Sequence, residues 1–264
     1  MIVGMFRSLN IAATGMAAQE TQLNTIANNL ANANTVGYKR QNAEFEDLLY
    51  QNQRSPAVMD GGNTAPTATQ VGTGARIVAT SRAFAEGAMQ QTGNPLDLAI
   101  EGNGFFSVMQ QNGQPAYTRA GSLKLDGQGR ITTSDGLLVE PPITVPTTAT
   151  AVTIASDGTV TATMQGQTNA SALGQLQIAT FANPNGLSAM GHNLFEATGS
   201  SGEAQTGVPG LDGRGTLLQG SLESSNVNVV EEMVNMIQIQ RAYEMNSKAV
   251  QTCDQMLQYA NQNM

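Results

Sequence analysis

Apolar residues recur at strict intervals of seven near both ends of the chain. The first row is Leu9, Met16, Leu23 and Leu30, and Ile26 belongs to a weaker companion row. Seven-residue apolar repeats are typical of helices that pack against other helices, because they keep one face toward the partner. The pattern therefore predicts an N-terminal helix that needs a partner.

A second row near the other end consists of Val229, Met236, Tyr243, Val250 and Leu257. Two terminal helices of this kind, separated by a middle of a different type, favour a subunit that polymerises through its ends. We expect both rows to contribute to the interface between subunits. The alternative is an ordinary two-helix core within one chain.

Turn and capping residues set the expected limits of the two helices. The first is expected from about Ser8 to Asn32, where Asn34 to Gly37 supply turn residues. The second is expected to be capped by residues 224–226 and to run to about Tyr259.

Residues 76–224 show short β-type runs separated by turn signals. Regular spacing of such runs is typical of a sandwich or a small barrel. Glycine accepts the positive φ that tight turns need. The sharpest hairpin signals are Asp126-Gly127, Asp135-Gly136, Asp157-Gly158 and Asn185-Gly186.

The connection between the first helix and the β-type region is polar. Residues 38–50 predict an extended segment followed by a short helix, and residues 51–73 are rich in Pro, Gly, Thr and Gln. Breakers occur at Pro56, Gly61, Gly62 and Pro66. A connection of this length is either disordered or a functional arm. Residues 51–73 are called here the arm.

The predicted fold class is α+β, with three parts. Residues 1–35 and 225–264 form a terminal helical assembly domain with coiled-coil-like packing, and residues 36–75 form a connecting segment that carries the arm. Residues 76–224 form a β-rich domain.

Charge and composition exclude several classes of protein. The net charge is −8 and charged residues make up 12% of the chain, so the basic surface of a nucleic-acid-binding protein is absent. No run of 18 apolar residues occurs, so we expect no direct membrane insertion. The first residues lack the order of a cleaved signal peptide.

The sequence offers little for catalysis or for a metal. The single histidine, His192, and the single cysteine, Cys253, exclude most metal sites and a disulfide framework. The segment GNGFFS at 102–107 begins like a dinucleotide fingerprint but lacks the third glycine, so we interpret it as a strand entry that brings Phe105 and Phe106 to the core. We expect no cofactor and no enzyme activity, although two distant carboxylates could still converge in a glycoside hydrolase.

Four segments carry a resemblance to a known family. The stretch ATGMAAQETQLNTIANNLANANTVGYKR and the stretch LESSNVNVVEEMVNMIQIQRAYEMNSKAVQTCDQML resemble the matching ends of bacterial flagellar rod and hook proteins. AIEGNGFFSV and AYTRAGSLKLDGQGRITTSDGLLV, between them, resemble the same family. FEDLLYQNQRSP, the arm that follows and the chain length resemble the distal rod form.

The resemblance implies a structural subunit that self-assembles into a helical tube and transmits torque from motor to hook. The helices would line the inside of the tube, the β-rich domain would face outward, and the arm would bridge neighbouring subunits. Implied partners are further copies of the chain, other rod subunits, hook or hook-rod junction proteins, the surrounding rings and the flagellar export apparatus. The implied location is the basal body, in the periplasm and at the level of the outer membrane, after export without a cleaved signal.

Two alternatives remain open at this point. A proximal rod or a hook subunit would share both terminal stretches and differ mainly in the middle and the arm. A peptidoglycan-acting enzyme or a β-type adhesin would instead keep folded ends as a monomer.

Overall fold

Long helices form at both ends of the chain, as the apolar rows predict. In the computed structural model, which describes residues 2–54, 69–166 and 169–262, helix α1 is Ile2–Ala31 and helix α2 is Val229–Gln262. α1 begins before the expected start at Ser8, because the preceding residues include no proline and each added residue gains a backbone hydrogen bond. With a β-rich middle between the helices, the predicted α+β class is confirmed.

The predicted cap of α2 is wrong by a few residues. The Asn228 side-chain oxygen accepts hydrogen bonds from the backbone N–H groups of Val230 at 3.1 Å and Glu231 at 3.4 Å. Residues 224–226 lie before the helix. The Ser224 N–H and the Asn226 Nδ2 donate to carbonyl oxygens of residues 83–88, and the Ser225 Oγ accepts the Val227 N–H. Several capping residues stand in a row here, so the sequence alone does not show which of them caps.

The chain divides into two compact units. One, called here the helical unit, comprises Met1–Leu30, Gln41–Ser81 and Asn228–Met264. The other, called here the β-rich unit, comprises Ala31–Arg40 and Arg82–Val227.

The helical unit combines the two helices with two paired ribbons. Its strands are β1 (Gln41–Asp47), β2 (Gln51–Arg54), β3 (Thr69–Val71) and β4 (Ala75–Arg82). β1 pairs with β4, and β2 pairs with β3 in antiparallel register. The breakers Pro56, Gly61, Gly62 and Pro66 lie outside the described residues.

The short helix expected near the end of residues 38–50 does not form. The chain stays extended from β1 toward β2, and the Leu48 N–H donates to the Gly74 carbonyl oxygen at 2.9 Å. Leu49 is 88% exposed, so the apolar cluster that suggested a helix has no core to pack against. Pairing across the ribbon satisfies the backbone in its place.

The strands of the β-rich unit form several open sheets. The largest sheet in the described chain has the order β16-β17-β8-β7-β11-β10-β9, with β15 joining β7 to β18. β12, β13 and β14 form a three-stranded sheet, β19 pairs with β6, and β20 pairs with β5. The strand bounds are β5 Met89–Gln91, β6 Leu98–Glu101, β7 Phe105–Met109, β8 Pro115–Thr118, β9 Leu123–Leu125, β10 Ile131–Thr133, β11 Leu138–Val139, β12 Ala149–Ile154, β13 Thr159–Met164, β14 Ala170–Gln175, β15 Ile178–Thr180, β16 Ser188–Gly191, β17 Leu194–Glu196, β18 Gln205–Gly207, β19 Thr216–Gln219 and β20 Ser221–Glu223.

Two apolar clusters fill the β-rich unit. The larger contains Phe106, and the smaller is an aromatic group in which Phe105 stacks edge-to-face against Phe84, Phe181 and Phe195. The expectation that Phe105 and Phe106 enter the core is confirmed, since both are buried. The other buried members of the larger cluster are Leu98, Ile100, Val108, Ala116, Leu123, Ile131, Val139, Ile143, Val145, Ile154, Val160, Leu176, Ile178 and Leu217.

Three of the four predicted hairpin signals lie at strand connections. Asp126-Gly127 links β9 to β10, Asp135-Gly136 links β10 to β11, and Asp157-Gly158 links β12 to β13. Asn185-Gly186 instead lies in a 3-10 helix, Pro184–Gly186. The preceding proline fixes a helical φ there, which outweighs the turn preference of the dipeptide.

Candidate functional site

A lysine that follows the turn after the first helix is buried in the β-rich unit. Lys39 is 1% exposed, and its Nζ donates to the Glu223 Oε1 at 2.6 Å and to the Ala85 carbonyl oxygen at 2.7 Å. Gly37 has a φ of +69°, and a Cβ at this position would stand 2.7 Å from the Ala120 nitrogen. Glycine is therefore required two positions before the lysine, where the chain crosses another backbone segment.

Arg119 provides a second buried cation. Its Nε donates to the Glu223 Oε2 at 2.7 Å, and its Nη1 donates to the Gly104 carbonyl oxygen at 2.6 Å. Its Nη2 donates to the carbonyl oxygens of Gly102 and Ile100 at 2.7 and 3.2 Å. The GNG segment resembled the start of a nucleotide fingerprint, and its glycine carbonyl oxygens bind this guanidinium.

Glu223, at the end of β20, accepts hydrogen bonds from both cations. Its side chain is fully buried, and Oε1 also accepts a hydrogen bond from the Gly87 N–H at 2.9 Å. Burial alone would raise the pKa of this carboxyl, but the charge of Arg119 and hydrogen bonds from Arg119, Lys39 and Gly87 hold the pKa below its usual range. Lys39, Arg119 and Glu223 are called here the junction triad.

The pKa of Lys39 is lowered. Desolvation by burial lowers it most, and the hydrogen bond and the charge of Glu223 oppose that effect only in part. Lys39 therefore depends on Glu223 for the stability of its charged form.

An asparagine three positions after Glu223 completes the same junction. The Asn226 Oδ1 accepts the Arg40 N–H at 2.7 Å, and its Nδ2 donates to the carbonyl oxygens of Ala83 at 2.8 Å and Ala85 at 3.0 Å. The Gly37 N–H also donates to the Glu223 carbonyl oxygen at 2.8 Å. The segment after α1 and the segment before α2 are thus bound to each other and to residues 83–88.

The predicted interface residues occupy mixed positions in the helical unit. Ile26 is buried, whereas Val229 and Tyr243 are exposed. Leu257 has a side chain outside the described part of the chain. The half-buried members are Leu9, Met16, Leu23, Leu30, Met236 and Val250.

A groove between α1 and α2 brings members of both rows together. Leu23 and Tyr243 line this groove with Ile239 and Gln19, and its volume is about 380 Å³. Gly15 of α1 faces α2, where a Cβ would stand 3.2 Å from the Asn246 Nδ2. A small residue therefore permits close approach of the two helices.

α2 carries a second apolar face that the seven-residue row does not include. Val230, Met233, Val234 and Ile237 are 71%, 51%, 49% and 49% exposed. Their spacing of three, four and seven positions places them on one side of a helix. A search for a 3.6-residue period would have found this face, which is called here the outer stripe.

The single histidine lies at the surface near one carboxylate. The His192 Nδ1 lies 3.8 Å from the Asp135 Oδ2, and both side chains are exposed. Across residues 2–54, 69–166 and 169–262, no group of three or more His, Cys, Asp and Glu side chains is placed to hold a metal ion. No helix in the described ranges is long and apolar enough to cross a membrane.

Comparisons with protein families match three separate segments. The family model "Flagella basal body rod protein" matches residues 9–39, and "Flagellar basal body rod FlgEFG protein C-terminal" matches residues 218–263. "Flagellar hook protein FlgE/F/G D1 domain" matches residues 99–162. Each matched segment contributes one member of the junction triad.

Three curated relatives that match along almost the whole chain are each named flagellar basal-body rod protein FlgG. The protein of Borreliella burgdorferi is 48% identical over 260 residues, which cover 97% of this chain and 98% of the relative. The protein of Caulobacter vibrioides is 47% identical over 258 residues, with the same coverage of 97% and 98%. The protein of Bacillus subtilis is 38% identical over 260 residues, covering 96% and 97%. The chain therefore belongs to the flagellar basal-body rod protein family and is a structural subunit of the rod.

Proposed function

We propose that this chain polymerises through its terminal helices into the helical tube of the distal rod, and that the tube transmits torque from motor to hook. The observation that carries the proposal is the outer stripe of α2. Large exposed apolar side chains in a row on a long helix favour contact with another helix over contact with water. The partner that this surface fits best is a terminal helix of another copy.

The groove between α1 and α2 supports the same assignment. Leu23, Ile239 and Tyr243 leave an apolar depression at the helix pair. An apolar side chain from a neighbouring copy would fill it. Most helical stability in proteins comes from packing of the apolar face, so helices with this much exposed apolar surface gain stability from assembly.

The predicted interface rows and domain roles belong to this proposal. The helical unit would face the inside of the tube and would contain the assembly contacts, while the β-rich unit would face outward. The role is structural and requires no catalytic group or cofactor.

The arm would join adjacent subunits. Its root is the β2–β3 pair, and Leu49 and Tyr50 just before β2 are exposed. Apolar side chains exposed at the root provide a surface that a neighbour would cover. The polar segment beyond, with Pro56, Gly61, Gly62 and Pro66, would bridge to that neighbour and stiffen the tube.

A subunit of the rod would also contact other components of the flagellum. They are other rod subunits, hook or hook-rod junction proteins, surrounding ring proteins and the export apparatus. The chain would reach the periplasm and the level of the outer membrane without a cleaved signal. An end that is disordered before assembly would suit passage through a narrow channel.

The test is a pair of charge substitutions on α2. Ile237→Asp places a carboxylate within the outer stripe, whereas Gln238→Asp places one on the neighbouring exposed position outside it. Incorporation into basal bodies, measured in a strain that lacks the native chain, should be lost for Ile237→Asp and kept for Gln238→Asp. Normal incorporation of both variants would contradict the proposed interface.

A further inference from the structure

The junction triad places two buried cations against one carboxylate. Glu223 is separated in sequence from Arg119 by 104 positions and from Lys39 by 184 positions. The side chains of Lys39 and Arg119 are 1% and 4% exposed. A buried charge is tolerated when it is paired and hydrogen-bonded, and is strongly unfavourable otherwise.

Arg119 would be buried early if the central strands formed by themselves. It directly follows β8, and its guanidinium binds carbonyl oxygens of Ile100, Gly102 and Gly104, around the turn between β6 and β7. Closing β6, β7 and β8 therefore draws this cation against backbone carbonyl oxygens and takes part of its surface out of water. Without Glu223, the carbonyl dipoles are its remaining described partners, and Lys39 would add a second positive charge beside it.

The carboxylate that both cations share comes from the far end of the unit. β19 pairs with β6, with Leu217 opposite Ile100, and β20 then pairs with β5 and carries Glu223 into place. Pairings between strands so distant in sequence form late, because a long loop must close first. The order of the chain thus separates the cations from their counterion.

We propose that the junction triad is a folding checkpoint: the β-rich unit closes only after the C-terminal junction has delivered the Glu223 carboxylate. When the N-terminus of the chain appears first, the β-rich unit then stays unfolded until residue 223 is available. The device depends on charge and not on the volume of the side chains. It is independent of the role proposed for the helices, because each member of the triad lies in the β-rich unit.

The dependence on charge can be separated from an effect of packing by the direction in which one substitution changes the folding rate. In the native background, Glu223→Gln leaves two buried cations without the carboxylate that is hydrogen-bonded to both. Glu86, an exposed residue, is then a remaining acidic group near Lys39. In the background Lys39→Met with Arg119→Met, the native Glu223 is itself the unpaired buried charge, and Glu223→Gln removes it. The same substitution should therefore act in opposite directions in the two backgrounds.

The experiment measures refolding and unfolding rates of the full chain by pulsed amide exchange, read at Phe106, Val108 and Ile178 in the core of the β-rich unit. In the native background Glu223→Gln should slow folding by about 30-fold or more, with a smaller change in the unfolding rate, because the carboxylate acts before the unit closes. In the Lys39→Met/Arg119→Met background it should speed folding by about 10-fold.

Two results would overturn the checkpoint. One is a Glu223→Gln effect that appears in the unfolding rate alone, since the carboxylate would then dock after closure. The other is a change of the same sign in both backgrounds. If Glu223→Gln does not fold in the native background, Glu223→Asp keeps the charge on a shorter side chain and should slow folding by about 10-fold; an unchanged folding rate for that variant also overturns the proposal.

Discussion

Lys39 and Glu223 lie 184 positions apart in the sequence, and the lysine Nζ is 2.6 Å from the glutamate Oε1 inside the β-rich unit. The lysine follows α1 closely, and the glutamate precedes α2. Their ion pair therefore fixes, within one folded unit, the two points from which the chain continues into its terminal helices. Asn226 strengthens the same junction through three hydrogen bonds.

Substitution of Lys39 and substitution of Glu223 should lower the free energy of unfolding by unequal amounts. Lys39→Met leaves Glu223 paired with Arg119, so we expect a loss of about 1–3 kcal/mol in the free energy of unfolding of the β-rich unit. Glu223→Ala leaves two buried cations and should cost about 3–5 kcal/mol. Urea unfolding, followed by circular dichroism, measures both.

Lys248→Met is the matched control for the lysine substitution. Lys248 is exposed on α2, so its replacement should change the free energy of unfolding by less than about 0.5 kcal/mol. Equal losses for Lys39→Met and Glu223→Ala would contradict the shared role assigned to the carboxylate.

The triad should make the β-rich unit sensitive to acid. The pKa of Glu223 is lower in the folded chain than its usual value of about 4.3, so the unfolded state binds more protons in the window between the two values. The stability that the charged carboxylate contributes is present above about pH 4.3 and is lost as the pH falls through the folded pKa.

Unfolding by urea between pH 7 and pH 2.5 measures this loss, and Glu223→Gln is the control. Asp126 and Asp157 also have lowered pKa values, chiefly because backbone N–H groups of Arg130 and Thr159 bond to them, so part of the pH dependence belongs to turns. The part assigned to the triad is the difference between the two chains. Identical pH dependence in both would refute its assignment to Glu223.

Gly37 is expected to be intolerant of a side chain. Gly37→Ala adds a Cβ at a φ of +69° and within 2.7 Å of the Ala120 backbone nitrogen and the Arg119 carbonyl carbon. Gly113→Ala adds a Cβ at a φ of +78° with no atom within 4 Å, and so isolates the backbone strain. That strain costs about 1–2 kcal/mol.

The thermal midpoints of these two variants provide the comparison. Gly37→Ala should lower the midpoint clearly more than Gly113→Ala, because the Cβ meets backbone that cannot move aside. Similar midpoints would show that the approach of residues 37 and 119–120 is not tight.

The arm is expected to control the stiffness of the polymer. Deletion of residues 56–68 should leave assembly intact and yield a bent or flexible tube, because contacts between neighbouring subunits would be lost. A chain in which a Gly-Ser linker of the same length replaces these residues tests whether length alone suffices. Straight rods in electron micrographs of the deletion variant would count against a bridging role.

The sequence predicted the two helices and the β-rich middle because their signals are local. The seven-residue rows and three of the four Asp-Gly or Asn-Gly dipeptides lie within the elements or turns that they specify. The short helix expected near the end of residues 38–50 failed because the partner strand, β4, is distant in sequence and determines the outcome. Predictions about the interface itself remain to be tested by experiment.

The junction triad could not be derived from local pattern. Lys39, Arg119 and Glu223 each read as ordinary charged residues, and charged side chains are mostly exposed. What hinted at them was their position within the segments that carry the family resemblance, namely GYKR, AYTRAG and LESSN. Their pairing requires knowledge of which strands meet, and that depends on the whole β-rich unit.

The most direct test of the proposed assembly is amide hydrogen exchange on the purified monomer and on sedimented rods. It is read separately for residues 1–35, 76–223 and 225–264. The account predicts protection of the middle segment in both samples, and fast exchange of both ends in the monomer that becomes slow in the rods. Ends that are already fully protected in the dilute monomer would contradict ordering on assembly and would indicate a self-contained two-helix core.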